Sequence, residues 1–145
     1  MMEDMAQKIA FSIPGEPREK ARPRTANGHA HTPSGTMSYE AGVVLAYRNR
    51  YADRVRWEKG VPLRMRITAC YGVPAGTAPK RKAQMLRELP ARKPDADNIG
   101  RIVADALSGI AYCDDAQIVD LQVRKAYAEN PHVFVEIREA GGINS

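Results

Sequence analysis

"RKPDADNIGRIVADALSG", Arg92 to Gly109, holds the pattern that decides how the chain folds. Ile99, Ile102, Val103, Ala106 and Ile110 recur at three- and four-residue spacing, so they share one face of a helix predicted over Asp97 to Leu107, with Gly109 as its stop. Outward from it the apolar period changes to two. Upstream, Val61, Leu63, Met65, Ile67, Ala69, Tyr71 and Val73 alternate with Arg64, Arg66 and Thr68, which predicts a half-buried strand over Val61 to Val73. Downstream, Ile118 to Tyr127 and His132 to Glu139 alternate in the same way, joined by the turn "AENP".

Further out, Lys8 to Ile13 reads as a short strand closed by the breaker "PGEP". Val43, Val44, Tyr47, Tyr51 and Val55 predict a helix over Tyr39 to Trp57, with Ser38 as its N-cap. Lys80 to Leu89 reads as a short, very basic helix ended by Pro90. Strands and helices in this order, without regular crossovers, predict an α+β fold in which helices pack on one face of a small mixed sheet. At 145 residues, a single domain over 1–145 is the expected organisation.

Charge narrows the partners. The chain carries a net charge of +5, and residues 75–93 hold six cations (Lys80, Arg81, Lys82, Arg87, Arg92, Lys93) against the single acid Glu88. A second basic segment, residues 14–37, is poor in large apolar residues and carries Lys20, Arg22 and Arg24 before Asn27-Gly28, a hairpin-turn pair; it is expected to form an exposed flap. Such clusters suit a polyanion, although a solvated face explains either one taken alone. No apolar run approaches the roughly 20 residues of a membrane span, and no secretion signal stands out, so a cytoplasmic protein is expected. Cys70 and Cys113, with no CxxC, are expected to be free thiols.

Against this basic background, the acids at Asp95 and Asp97 ask for a reason. One of them can cap the helix, and the macrodipole favours a carboxylate in the first turn by about 0.3–1 kcal/mol. The second is surplus, because two negative charges so close repel unless a cation compensates them. A calcium loop does not fit: counted from Asp95, its twelfth position is Ala106, where a bidentate glutamate is required. Mg²⁺ asks for fewer carboxylates, with water and phosphate completing its shell. Asp114 and Asp115 supply a second acidic pair beyond the helix, whereas Asp105, about 12 Å along the axis from Asp97, is assigned to structure together with Asp120. Acids set among bases form the pattern of a site that grips a nucleic-acid backbone and holds a divalent ion at one phosphodiester.

The block "KPDADNIGRIVADALSGIAYCDDAQIVDLQVRKAY", Lys93 to Tyr127, closely resembles the signature region of the RusA family of Holliday-junction resolvases, which prophages often carry. "IPGEP", "KARPR" (Lys20 to Arg24) and "HTP" (His31 to Pro33) resemble its N-terminal part. The resemblance implies a Mg²⁺-dependent endodeoxyribonuclease, with Mn²⁺ as a substitute ion. It further implies a homodimer that resolves four-way DNA junctions by paired symmetric nicks in recombination and repair. By motif position Asp95, Asp97 and Asp115 take the places of the family's catalytic, metal-binding aspartates, and the role of Asp114 stays open. Some members carry a lysine where this chain has Arg101, which cannot relay a proton but can stabilise charge on a phosphate; Lys125 is the alternative cation. An ion pair from Arg101 to Asp97 or Asp105 is the plainer account of that residue. Lys20, Arg22, Arg24, Lys80, Arg81, Lys82, Arg92 and Lys93 are the expected backbone contacts to DNA. The rival is a non-catalytic branched-DNA-binding or architectural protein using the same basic surface; a basic structural protein of a phage particle would leave the acids unexplained.

Overall fold

The computed structural model describes residues 8–18, 24–26, 29–31, 34–52 and 56–141. Strand β1 (Lys8–Pro14) is followed by the short strands β2 (Arg24–Ala26) and β3 (His29–His31), then helix α1 (Ser34–Tyr51) and strand β4 (Leu63–Gly72). Helices α2 (Pro79–Met85) and α3 (Ala96–Leu107) precede the long strand β5 (Ile118–Ala128) and the last strand β6 (His132–Glu139). The large sheet has the order β1-β6-β4-β5, with β4 and β5 parallel and the other neighbours antiparallel. It is an α+β domain with a mixed sheet.

Register shows how the alternating pattern becomes a core. Phe11 pairs with Val135, Val135 with Ile67 and Ile67 with Val123, so one row of apolar side chains crosses all four strands. Ile9, Ile137 and Met65, then Ile13, Val133 and Ala69, form the flanking rows, and all of these six are buried. Helices α1 and α3 cover this face. Val43 and Tyr47 of α1 are buried, Tyr47 meeting Phe11 edge to face at 5.8 Å, and Ile99, Ile102, Val103, Ala106 and Leu107 of α3 are buried beside them. The opposite face carries charge, including the pairs Lys8–Glu136 at 3.3 Å and Arg64–Asp120 at 3.0 Å. Tyr51 fastens α1 to the rim strand: its hydroxyl accepts from the Ala10 N–H at 2.8 Å and donates to the Ala10 carbonyl at 3.1 Å.

The boundaries depart most from the sequence pattern at helices α1 and α2. The first helix starts at Ser34, so Ser38 lies inside it, and it ends at Tyr51 where Ala52 turns to a positive φ of 66°. Trp57 leaves the helical path because the core claims it: it is buried and bridges to Tyr112. Val55 lies outside the described residues. Helix α2 stops at Met85, short of Leu89, and none of its residues is buried; Pro79 at its start, local bonds and the pairing of Lys82 with Glu129 support it. Strands β5 and β6, consecutive in the chain, are not paired with each other, because β4 lies between them. The hairpin expected around Asn27-Gly28 forms, with Arg24 opposite His31 and Ala26 opposite His29; the turn pair itself, Lys20 and Arg22 lie outside the described residues. Both cysteines are free, Cys70 buried and Cys113 exposed, and among the described residues no helix is long and apolar enough to cross a membrane.

Candidate active site at the start of α3

Asp95 occupies the N-cap position of α3, with extended backbone angles of −68° and 148°, and its carbonyl accepts the first helical bond from the Ile99 N–H at 3.1 Å. Its carboxylate nevertheless makes no capping bond. An aspartate in this position ordinarily accepts from a backbone N–H two or three residues on; here both oxygens face outward and meet the Lys93 ammonium, at 3.0 Å from Oδ1 and 3.1 Å from Oδ2. Asp97, in the first turn, is exposed and takes no hydrogen bond or ion pair among the described residues. Arg101, one turn further on, is exposed and forms neither of the ion pairs that its spacing from Asp97 and Asp105 allows. Among the described residues Asp97 and Arg101 are thus spent on nothing structural, and the Asp95 carboxylate holds only the exposed Lys93.

The approach to α3 is held from the sheet. The Tyr71 hydroxyl donates to the Pro94 carbonyl at 3.2 Å, and the Lys125 ammonium donates to the Arg92 carbonyl. Arg92 and Lys125 both lie against the Tyr71 ring, at 5.2 and 5.7 Å from its centroid. Beside this end of the helix opens a cleft of about 500 Å³ whose lining includes Glu16, Tyr71, Arg92, Lys93, Pro94 and Pro131. Gly100 sets the spacing between α3 and β5, since a Cβ there would stand 2.9 Å from Leu121 Cδ2 and 3.2 Å from Val123 Cγ2.

At the other end of α3 stands a second acidic group. Asp105, in the last turn, is neighbour to Asp115, whose carboxyl is held above the ordinary carboxylate range, first by a hydrogen bond shared with Asp114 and then by one with Asp105, with desolvation and repulsion adding to both. Asp114 is correspondingly lowered, chiefly by the N–H of Ala116 and then by Asp115. The two acids of "DDAQ" therefore differ in kind. Asp114 caps the single 3-10 turn Asp115–Gln117 and completes a capping box with Gln117, while Asp115 has no such duty. Asp95 and Asp97 begin α3 and Asp115 stands by Asp105, which is about 12 Å further along the axis than Asp97. Among the described residues no three His, Cys, Asp or Glu side chains gather at one point.

Gln117 is the residue that sequence reasoning passed over. It is buried, and its amide makes four bonds: Nε2 to the carbonyls of Glu58 (2.8 Å) and Val61 (3.0 Å), and Oε1 from the N–H groups of Cys113 (2.9 Å) and Asp114 (3.0 Å). The capping-box spacing Asp114-x-x-Gln117 was the signal for it. Of the cations proposed for DNA, Arg81 is paired with Glu88, Lys82 with Glu129 and Lys93 with Asp95, whereas Lys80 is exposed with no carboxylate partner among the described residues. Arg24 opens β2.

The start of α3 thus presents the non-capping Asp95 carboxylate, held by Lys93, and the unpartnered Asp97 carboxylate close to Arg92 and Arg101. In comparison with known proteins, the chain matches the family described as Endodeoxyribonuclease RusA over residues 14–138 and belongs to that family. It is 35% identical to the uncharacterized protein YqaN of Bacillus subtilis (strain 168) over 136 residues, which is 90% of this chain and 96% of that one. It is also 32% identical over 84 residues to the crossover junction endodeoxyribonuclease rusA of Lactococcus phage r1t, covering 57% of this chain and 59% of the phage protein.

Proposed function

We propose that this protein is a Mg²⁺-dependent endodeoxyribonuclease, with Mn²⁺ as a substitute ion, that resolves four-way DNA junctions by paired symmetric nicks. It would act as a cytoplasmic homodimer in recombination and repair. The observation that carries the reading is Asp95, an N-cap aspartate that does not cap, beside Asp97, which has no partner among the described residues. The Asp97 carboxylate, unpartnered among the described residues, and the Asp95 carboxylate, held only by the exposed Lys93, are hard oxygen donors, the kind that Mg²⁺ takes. The family membership and the phage relative's name supply the reaction class.

Asp95 and Asp97 would hold the ion; Asp115, the third carboxylate by motif position, stands beside Asp105 at the far end of α3, too far along the helix to share that ion with them. When bound, such an ion acidifies a water and neutralises charge on the phosphate. Arg101, a permanent cation one turn from Asp97, binds a non-bridging phosphate oxygen and stabilises its charge without moving a proton. Lys93 balances Asp95 until an ion takes its place. Lys80, Arg92 and the cations of the 14–37 segment grip the DNA backbone, which makes binding salt-sensitive and leaves base sequence unread. A two-fold dimer presents one such site to each of the two equivalent strands of a junction.

The test is incubation of a synthetic four-way junction with purified protein, with and without Mg²⁺, beside Asp95→Asn and Asp97→Asn. Paired nicks that need the ion and both aspartates are expected. Junction binding without nicks under any divalent ion would establish a non-catalytic branched-DNA-binding protein instead.

A further inference from the structure

We propose that Tyr71 and Lys125 form a two-point clamp that positions Asp95 for its ion, by holding the carbonyls of Pro94 and Arg92 from neighbouring strands of the sheet. The inference rests on the reading of Asp95 as a metal ligand and deepens it, because it assigns the placement of that ligand to residues that never touch the ion.

Tyr71 is buried in β4, and its ring is fixed by the core below and by Arg92 and Lys125 beside it. Its hydroxyl reaches the carbonyl of Pro94, the group whose carbon is bonded to the Asp95 nitrogen. Asp95's own carbonyl is held on the other side by the Ile99 N–H. The backbone of Asp95 is therefore held on both sides, and its carboxylate, which meets the exposed Lys93, turns on two side-chain torsions. Lys125 acts two residues earlier on the same approach, at the Arg92 carbonyl. These bonds join residues 23 and 33 positions apart in the chain, so they report the placement of α3 on the sheet rather than local turn structure. Both strut residues come from adjacent, parallel strands: Lys125 pairs with Ala69, and Tyr71, two residues beyond Ala69, pairs with Tyr127.

A positioning role differs from that of a catalytic cation at Lys125. An ammonium already committed to a backbone carbonyl and seated on an aromatic ring acts on the geometry of Asp95. Removing a group that orients a metal ligand typically costs about 10- to 100-fold in metal affinity.

The experiment titrates the full-length protein with Mn²⁺ and follows the free ion by electron paramagnetic resonance, for wild type, Asp95→Asn, Tyr71→Phe and Lys125→Met. Tyr71→Phe keeps the ring and both neighbouring cations and removes the hydroxyl alone; Lys125→Met keeps the stem on the ring and removes the ammonium. Each is expected to weaken Mn²⁺ binding about tenfold and to raise the Mn²⁺ needed for half-maximal nicking by the same factor, with nicking recovering at saturating Mn²⁺. A purely structural role would lower the melting temperature without moving the Mn²⁺ titration of the folded protein. Wild-type affinity in both variants, with affinity lost in Asp95→Asn, would overturn the clamp and leave the site standing. Nicking that stays low in Lys125→Met at saturating Mn²⁺, with unchanged ion affinity, would make Lys125 a catalytic cation and overturn its place in the clamp. Wild-type protein that binds no Mn²⁺ would overturn the metal reading and the clamp together.

Discussion

Gln117→Ala removes one side chain and strands four backbone groups, the carbonyls of Glu58 and Val61 and the N–H groups of Cys113 and Asp114. A buried hydrogen bond contributes about 0.5–1.5 kcal/mol net. Cys113, Asp114 and Glu58 are exposed and Val61 is half-buried, so water replaces part of what is lost. The expected loss is about 3 kcal/mol, which in a domain of this size lowers the melting temperature by about 6–12 °C. Thermal and urea unfolding followed by circular dichroism measure it, and the urea slope should stay at its wild-type value, because the surface exposed on unfolding is unchanged. Gln117→Glu sharpens the test. It keeps the acceptor for the two N–H groups but turns a carboxylate toward two carbonyls, so at neutral pH it should destabilise at least as much as alanine. Part of that loss should be regained when the pH is lowered enough to protonate it. A Gln117→Ala protein that melts within about 2 °C of wild type would show that the amide does not join the 57–61 loop to the 113–117 turn.

Gly100→Ala gains about 1 kcal/mol of helix propensity, but its methyl meets Leu121 and Val123 at 2.9 and 3.2 Å. Overpacking costs about 1–3 kcal/mol, so a net loss is expected, relieved in the double variant with Leu121→Ala; a higher melting temperature for Gly100→Ala alone would refute the close approach. Asp105→Asn tests the acidic group at the end of α3. Because the Asp115 carboxyl is raised in the folded protein, its stabilisation is fully present at acid pH and lost as pH rises through the raised value. Removing Asp105 lowers that value, so the variant should gain melting temperature relative to wild type near neutral pH, with the gain vanishing in acid. Arg101→Gln removes a cation that holds no carboxylate, so stability should change by less than about 0.5 kcal/mol, while single-turnover nicking at saturating junction falls at least tenfold. Unchanged nicking would return Arg101 to the solvated surface.

Wherever a feature is periodic and local, the residues announce it. The alternation of β4 and the stripe of α3 are visible because each position's neighbours two or four residues away share its fate. The start of α1 is not visible, because Ser34 to Met37 offer no apolar face and Ser38 has the chemistry of a cap. Trp57 reads as the end of a helical stripe because nothing local to it shows that Tyr112, 55 residues later, pulls it into a bridge. The order of strands is likewise non-local: nothing in "AENP" tells that a third strand lies between the two it joins. At the site, residue types and spacing pick out Asp95, Asp97 and Asp115, but what each is bonded to belongs to the fold. The same type of residue caps at Asp114 and does not at Asp95, and only the backbone around them separates the two.

The place of β6 bears on how the chain is made. Its hydrogen bonds run to β1 on one side and β4 on the other, so the last of the described strands lies inside the sheet while the first of them waits at the rim. During synthesis β4 and β5 have every residue they need for their parallel pairing, but β1 has no partner until residues 132–139 emerge from the ribosome. Closure of the sheet is thereby postponed until nearly all of the described chain is available, and its contacts span most of the sequence, a topology that folds slowly for its size. A nascent chain halted before His132 keeps Asp95, Asp97 and Asp115 yet lacks the strand that joins the two halves of their platform. An incomplete copy of such a protein therefore has no finished sheet on which to seat the helix that carries Asp95 and Asp97.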